Sequence, residues 1–336
     1  MTRYDVLVVG GGAAGLSAAL TLGRARRSVL VVDGGQPRNA PAAGVHNFLT
    51  RDGTPPGELL AAGRAEVRGY GGEIVEGMVA SIEPGFTATL ADGSTVGARA
   101  VIVTTGLVDE LPAIDGVRER WGRDVLHCPY CHGHEVADTA LGVLGSVHKA
   151  LLVRQWSSDL TLFLDGAPDP TEQEWEQLAA RGISVVDGEV AGVVVEDDRL
   201  VGVRLADGTV VARTALFVSP FFRATLPTAL GVETAEMEFE GVPVATHVVA
   251  GPTGRTSVPG VWAAGNVTDP MAQVVMAAAA GMRAAADVNV HLITEDTDRA
   301  VRAREAASLE RRVTEIVLGD RRHGLSLTPR SSSSTT

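Results

Sequence analysis

Three observations in the 336-residue sequence predict an α/β fold with three layers. Continuous apolar runs at Tyr4–Val9 and Ser28–Val32 have the character of parallel strands buried on both faces. Between them lie a glycine turn, Gly10–Gly15, and an Ala- and Leu-rich stretch, Ala13–Arg24, that reads as a helix. A second alternation of apolar runs and helical stretches starts near residue 140. Strand, turn, helix and strand within about 30 residues make a βαβ unit. Its recurrence predicts two Rossmann-like dinucleotide-binding domains, the second inserted into the first.

The remaining elements follow in order. Glu73–Glu76, Thr87–Leu90 and Ala100–Thr104 are predicted strands. After them come Ala140–Leu144 (strand), His148–Trp156 (helix), Leu160–Leu164 (strand), Glu172–Arg181 (helix) and Ile183–Asp187 (strand). The segments flanking Asp207-Gly208 predict a hairpin. Near Phe239 the pattern changes, and Val261–Val290 carries a strand, a Gly265-Asn266 turn and an Ala-rich helix. The outer domain is therefore expected at 1–114 and 246–330, and the inserted domain at 115–245. Residues 331–336 form a Ser-rich tail expected to be disordered.

Composition narrows the function. A net charge of −12 argues against a nucleic-acid partner, which needs clustered cations. Apolar stretches are broken by charge or glycine before a membrane span is reached. Met1–Asp5 runs straight into a strand without the tripartite pattern of an export signal, so a cytoplasmic protein is expected. Of 29 basic residues only Lys149 is lysine, a bias that reads as genomic. The two cysteines, Cys128 and Cys131, cannot form a disulfide framework for this length; their spacing reads as redox or metal chemistry.

Gly10, Gly12 and Gly15 fit G-x-G-x-x-G after a strand and before a helix. The first permits the tight turn, the second lets backbone approach a pyrophosphate, and the third allows helix and sheet to pack closely. Asp33 closes the next strand 18 residues after Gly15, placed to accept hydrogen bonds from an adenosine ribose. That turn does not separate NAD from FAD. Ser257–Val267, with Gly265 and Asn266, resembles the second FAD signature of two-dinucleotide-domain flavoproteins, which usually carry Asp where this chain has Asn266. An amide can still bond a ribityl hydroxyl, but no negative charge remains there. Thr104-Thr105-Gly106 resembles their third signature, beside the flavin.

His127-Cys128-Pro129-Tyr130-Cys131-His132-Gly133-His134-Glu135 is the chemical centre of the sequence. Turning a dithiol into a disulfide removes two electrons and two protons, so it needs a two-electron sink, two sulfurs able to pair, and a base. A CxxC at a helix start supplies the sulfurs and favours thiolate. An imidazole titrates near neutrality, which makes His132 the candidate base, with His134 and Glu135 orienting it or sharing its proton. Two other readings of these residues remain. Cys-x-x-Cys-His is the c-type haem attachment string, but it normally marks an exported protein. A zinc site would need ligands crowded into one short loop. No metal is expected.

With these motifs in place, the chain resembles low-molecular-weight thioredoxin reductases over all but its tail. The CxxC segment, with Gly35–Asn39 and the stretch through His46-Asn47-Phe48, is similar to the branch of small-molecule dithiol oxidases that close gliotoxin- and holomycin-like disulfides. The resemblance implies FAD held by Gly10, Gly12, Ala13, Ala14, Gly15, Asp33, Gly34, Gln36, Arg38, Asn39, His46, Asn47, Val79, Thr105, Gly106, Gly265, Asn266, Gln273 and Val274. It implies that Cys131 lies nearer the flavin and that Cys128 exchanges with substrate. It also implies a homodimer. Thioredoxin reductases carry Asp directly after the second Cys, where this chain has His132.

The inserted domain departs from the reductase pattern. Its first turn, Gly142–Ala150, lacks G-x-G-x-x-A/G, and its second strand ends at Asp165 where reductases place cations for a 2′-phosphate. Lys149 and Arg154 lie on the intervening helix and read as surface charge. Phe221 and Phe222 stand at another departure, facing either substrate or core. NADPH is therefore not expected as a cofactor; electrons would pass from a small-molecule dithiol to O2. The alternative is a disulfide reductase fed by NADPH through a degenerate site or by a protein donor such as ferredoxin.

Overall fold

The computed structural model describes residues 2–322. The apolar run that starts the chain forms the strand Arg3–Val9 at the centre of a seven-stranded sheet, with the order Glu73–Glu76, Val29–Asp33, Arg3–Val9, Thr95–Val103, Thr87–Leu90, Val79–Glu83. Val261–Ala263 adds to the far half of Thr95–Val103, in parallel. The strands from Glu73–Glu76 to Thr95–Val103 are parallel, as their apolar runs require, and Thr87–Leu90 and Val79–Glu83 extend the sheet antiparallel. Register sets Val9 beside both Val32 and Val103, and Val103 beside Ala263. The turns that follow these strand ends therefore lie along one edge, the place where open α/β sheets bind ligands.

A second parallel sheet takes its five strands from residues 125–217, in the order Ser184–Val186, Leu160–Phe163, Leu141–Leu144, Ala215–Phe217, Val125–Leu126. The structure thus has the predicted α/β architecture with two Rossmann-like sheets. Its apolar strands bury Leu141, Leu162 and Phe217 against Leu178 of helix Glu172–Ala180. That helix starts with a capping box: Thr171 Oγ1 accepts from the Glu174 N–H, and Glu174 Oε2 accepts from the Thr171 N–H at 2.7 Å. The Asp207-Gly208 turn joins Arg199–Leu205 to Val210–Ala212, antiparallel as predicted.

Several elements exceed the prediction. Helix Pro56–Gly69 starts with a proline in its first turn. The change of pattern near Phe239 is a hairpin, Thr234–Phe239 with Val242–Val248, turned by Glu240 and Gly241 at φ 52° and 79°. It joins Phe221–Ala224 and Leu107–Glu110 in a four-stranded sheet. The Ala-rich helix runs from Val274 to Arg322, well past the expected end at Val290. Residues 1–288 make one compact unit; of the second, 289–336, the described part is helical. The tail at 331–336 lies outside the described residues. Among the described residues no helix is long and apolar enough to cross a membrane.

Candidate active site

The glycine turn is shaped by close approach. Gly10 has φ 106°, and a Cβ on Gly15 would stand 1.9 Å from the Gly10 carbonyl oxygen. Gly12 differs: a Cβ there would meet nothing within 4 Å, and Gly12 caps helix Ala13–Arg24 without any side-chain acceptor for its N–H groups. The turn is therefore a cradle of unengaged donors facing open space, the arrangement that receives an anion. It opens on a cavity of about 760 Å³, within the range of small-molecule and cofactor sites.

Most of the predicted cofactor residues line this cavity: Gly10, Gly12, Ala13, Ala14, Asp33, Gly34, Gln36, Arg38, Asn39, His46, Val79, Thr105, Gly106, Asn266, Gln273 and Val274. Gly15, Asn47 and Gly265 are not among the lining residues. Gly15 and Gly265 serve it from behind, since a Cβ on Gly265 would come 2.8 Å from Ala14 Cβ. Asn47, at φ 59°, donates from Nδ2 to the Tyr130 carbonyl at 2.7 Å and so ties its loop to the CxxC. Asn266 donates from Nδ2 to the carbonyls of Asp269, Pro270 and Ala272, shaping the loop that leads to Gln273. Its Oδ1 takes no part in those bonds. Thr105 Oγ1 donates to the Thr225 carbonyl.

Cys128, Cys131 and His132 line the same cavity. Cys128 precedes the single-turn helix Pro129–His132, and both sulfurs are half-buried. The Cys131 thiol donates to Cys128, and with backbone N–H groups of Cys131 and Tyr130 it holds the Cys128 thiol below its ordinary range despite burial. Cys131 moves the opposite way, because it keeps the shared proton and is itself buried. His132 is lowered by burial, against the pull of Glu135, so it rests as a neutral imidazole able to accept a proton. His134 and Glu135 are exposed and outside the lining. Glu135 Oε1 lies 3.4 Å from His46 Nε2, and His46 Nδ1 lies 3.3 Å from Asp52 Oδ2. The two sequence segments thus meet in a chain of acids and imidazoles leading from the cavity to the surface.

Other cavity residues carry no motif. Arg64 pairs with Asp33 Oδ2 at 2.7 Å, while Asp33 Oδ1 accepts from the Gly35 N–H. Asp109 takes a bidentate bond from Arg38, whose guanidinium lies over the Phe222 ring. Phe222 is buried and packs edge-on to His127, so it fills core; Phe221 packs under Arg223. Lys149 is half-buried and hydrogen-bonded beside the CxxC, which corrects its reading as surface charge. Arg154 is also engaged, donating to the Arg181 and Ser157 carbonyls. Among the described residues no group of three or more His, Cys, Asp or Glu is placed to hold a metal ion.

A dinucleotide cradle and a thiol pair with an imidazole on one cavity define a disulfide oxidoreductase built around a flavin. Residues 4–281 match the pyridine nucleotide-disulphide oxidoreductase family, and the chain belongs to it. Membership implies FAD, which the cradle at Gly12 and the cavity fit. The chain is 32% identical to thioredoxin reductase sirT of Leptosphaeria maculans over 87% of its own length and 95% of that protein. It is 31% identical to thioredoxin reductase tcpT of Claviceps purpurea, over 78% and 86%. The crystal structure of HlmI is 49% identical and superposes with a TM-score of 0.84, covering 92% of this chain and 99% of that one. The protein is a thioredoxin reductase-like disulfide oxidoreductase.

Proposed function

We propose that this enzyme oxidises a small-molecule dithiol, of the natural-product type, to an intramolecular disulfide with O2 as the final acceptor. The observation that carries the direction is the second nucleotide turn. Its helix Val147–Val153 starts on Ser146, whose side chain accepts the Lys149 N–H, and Asp165 Oδ1 accepts the Val190 N–H. The capped helix start, and an acid at Asp165 where a reductase places cations for a 2′-phosphate, support a reading without NADPH.

The thiol chemistry then runs on the protein's own side chains. A substrate thiolate attacks Cys128 of the oxidised pair, forming a mixed disulfide and releasing Cys131 as leaving group. The second substrate sulfur attacks the first; the substrate disulfide forms, the bond to Cys128 breaks, and Cys128 leaves as thiolate. His132 takes one of the two protons given up by the substrate, and Glu135 with His46 lies on the way to solvent. FAD, held by the Gly12 cradle in the cavity that Cys128 and Cys131 also line, would supply the two-electron sink needed to regenerate their disulfide, with O2 as the final acceptor. The division at 115–245, a homodimer and a cytoplasmic location complete the proposal.

An anaerobic titration of the yellow protein tests it, with a simple dithiol, NADPH and NADH added separately while flavin absorbance is followed. Bleaching by the dithiol alone, with recovery and peroxide in air, is expected. Rapid bleaching by NADPH would overturn it in favour of the reductase that the names of its relatives describe. Cys128→Ser and Cys131→Ser should each abolish turnover with flavin retained.

A further inference from the structure

We propose that Lys149 is a positioning residue of the cysteine pair: its ammonium, held by His127 Nδ1, the Val218 carbonyl and Ser219 Oγ, is the fixed counter-charge of the Cys128 thiolate. The inference rests on the proposed reading only in taking Cys128 as the exchanging sulfur.

The geometry is a tripod. Lys149 Nζ lies 3.1 Å from His127 Nδ1, 2.8 Å from the Val218 oxygen and 2.7 Å from Ser219 Oγ. An ammonium has three donors; the Val218 oxygen and Ser219 Oγ accept two of them, and His127 Nδ1, itself 3.2 Å from the Val218 oxygen, stands beside the third. All three neighbours are neutral. Among the described residues no carboxylate lies within ion-pair distance of Lys149, whereas Arg38, Arg64 and Arg120 each reach one. A half-buried charge without a counter-ion is costly, and the group able to become an anion that interacts with it is Cys128, the residue after His127 in the chain. Burial pushes Lys149 down to about 8, and the charge on Cys128 works against that fall.

The other groups around Cys128 do not supply this charge. His127 is half-buried, and loss of water together with the nearby Lys149 and Arg38 charges takes it to about 3 and keeps it neutral. Arg38 is matched by Asp109. His132 is lowered and neutral, with Glu135 and His46 near it, and Cys131 holds the proton shared by the two sulfurs. Lys149 is left as the uncompensated cation. Its backbone N–H is also fixed, by Ser146 at 3.2 Å. In the second exchange step Cys128 is the leaving group, and a lower thiol pKa makes it leave faster.

The test reads Cys128 directly, in Cys131→Ser holoenzyme, where the serine hydroxyl still offers a donor to Cys128. The rate of iodoacetamide alkylation is measured against pH without substrate or acceptor. Lys149→Met should move the midpoint of the profile up. Ser219→Asp, an exposed change that sets a carboxylate against the ammonium, should move it the same way by less. A profile of either folded, flavin-bound variant that superposes on its parent overturns the proposal, and Ser219→Asp decides if Lys149→Met fails to fold. Because no dithiol or nucleotide is present, the result is independent of the direction of turnover, which the flavin titration tests.

Discussion

Two turns of this molecule begin from the same architecture and end in opposite states. After Arg3–Val9 the chain enters a helix through Gly12, with no side chain to cap it and open space where a Cβ would point. After Leu141–Leu144 it enters a helix through Ser146, which caps it, and Lys149 beyond turns to His127, Val218 and Ser219. Both turns follow the inner strands of parallel sheets. One leaves its donors for a ligand; the other caps one of them internally and carries Lys149 to the residue that precedes Cys128. A Rossmann-like sheet therefore provides a place for a nucleotide, and the first residues of the next helix decide whether one is received.

The largest expected effect comes from exchanging the two states. Gly12→Ser would give the first helix a cap, and its backbone at φ −76° and ψ −172° suits any residue. The apoprotein should fold with equal or greater stability, yet the side chain would occupy the cradle. Flavin content after purification should fall to a small fraction of the parent's, read from the 450 nm absorbance. Full flavin content in Gly12→Ser would break the comparison, since the open turn would not be the binding element.

Next in size is His132→Ala, which belongs to the thiol side of the comparison and should leave flavin bound. If His132 is the base, dithiol-driven flavin reduction should slow by ~10²–10⁴. The pH sign is fixed by its environment. Burial lowers His132 below the usual imidazole value of 6.5, and a base acts when deprotonated. Its limb therefore shows as a loss of rate as pH falls through a midpoint below 6.5. Stopped-flow rates across that midpoint should lose the acid limb in the variant; an unchanged rate removes His132 from the mechanism.

What was legible in the sequence was whatever depends on neighbours along the chain. The helix Ala13–Arg24 needed only its Ala and Leu content and the glycines before it. Cys128, Cys131 and His132 share one turn, so their meeting was certain. What was not legible depends on distant pairings. Arg38 meets Asp109 across 71 residues, and Arg64 meets Asp33 across 31. Lys149 was read as surface charge because its helix position alone leaves it at the surface; Val218 and Ser219, some 70 residues on, enclose it. The hairpin at Glu240-Gly241 was available as a two-residue turn signal. Glu236 and Glu238 on its first strand, which alternate with half-buried positions, hid it.

The smallest effect expected is the reverse of Gly12→Ser. Ser146→Ala removes the acceptor of the Lys149 N–H at 3.2 Å and so uncaps Val147–Val153. A lost cap of this kind costs about 1 kcal/mol, which in a chain of this size lowers the melting temperature by about 2 °C. Flavin content should not change, because the Ser146 turn contributes no residue to the cavity lining. The uncapped donor would be free, yet Lys149 would still be drawn to Val218 and Ser219, so freeing one N–H should not create a nucleotide site. NADPH bleaching of the flavin in Ser146→Ala, absent in the parent, would show that a single cap closes the second turn. Without such bleaching, the turn is closed by the tripod around Lys149 as well, and the two Rossmann-like halves differ by a whole constellation of contacts.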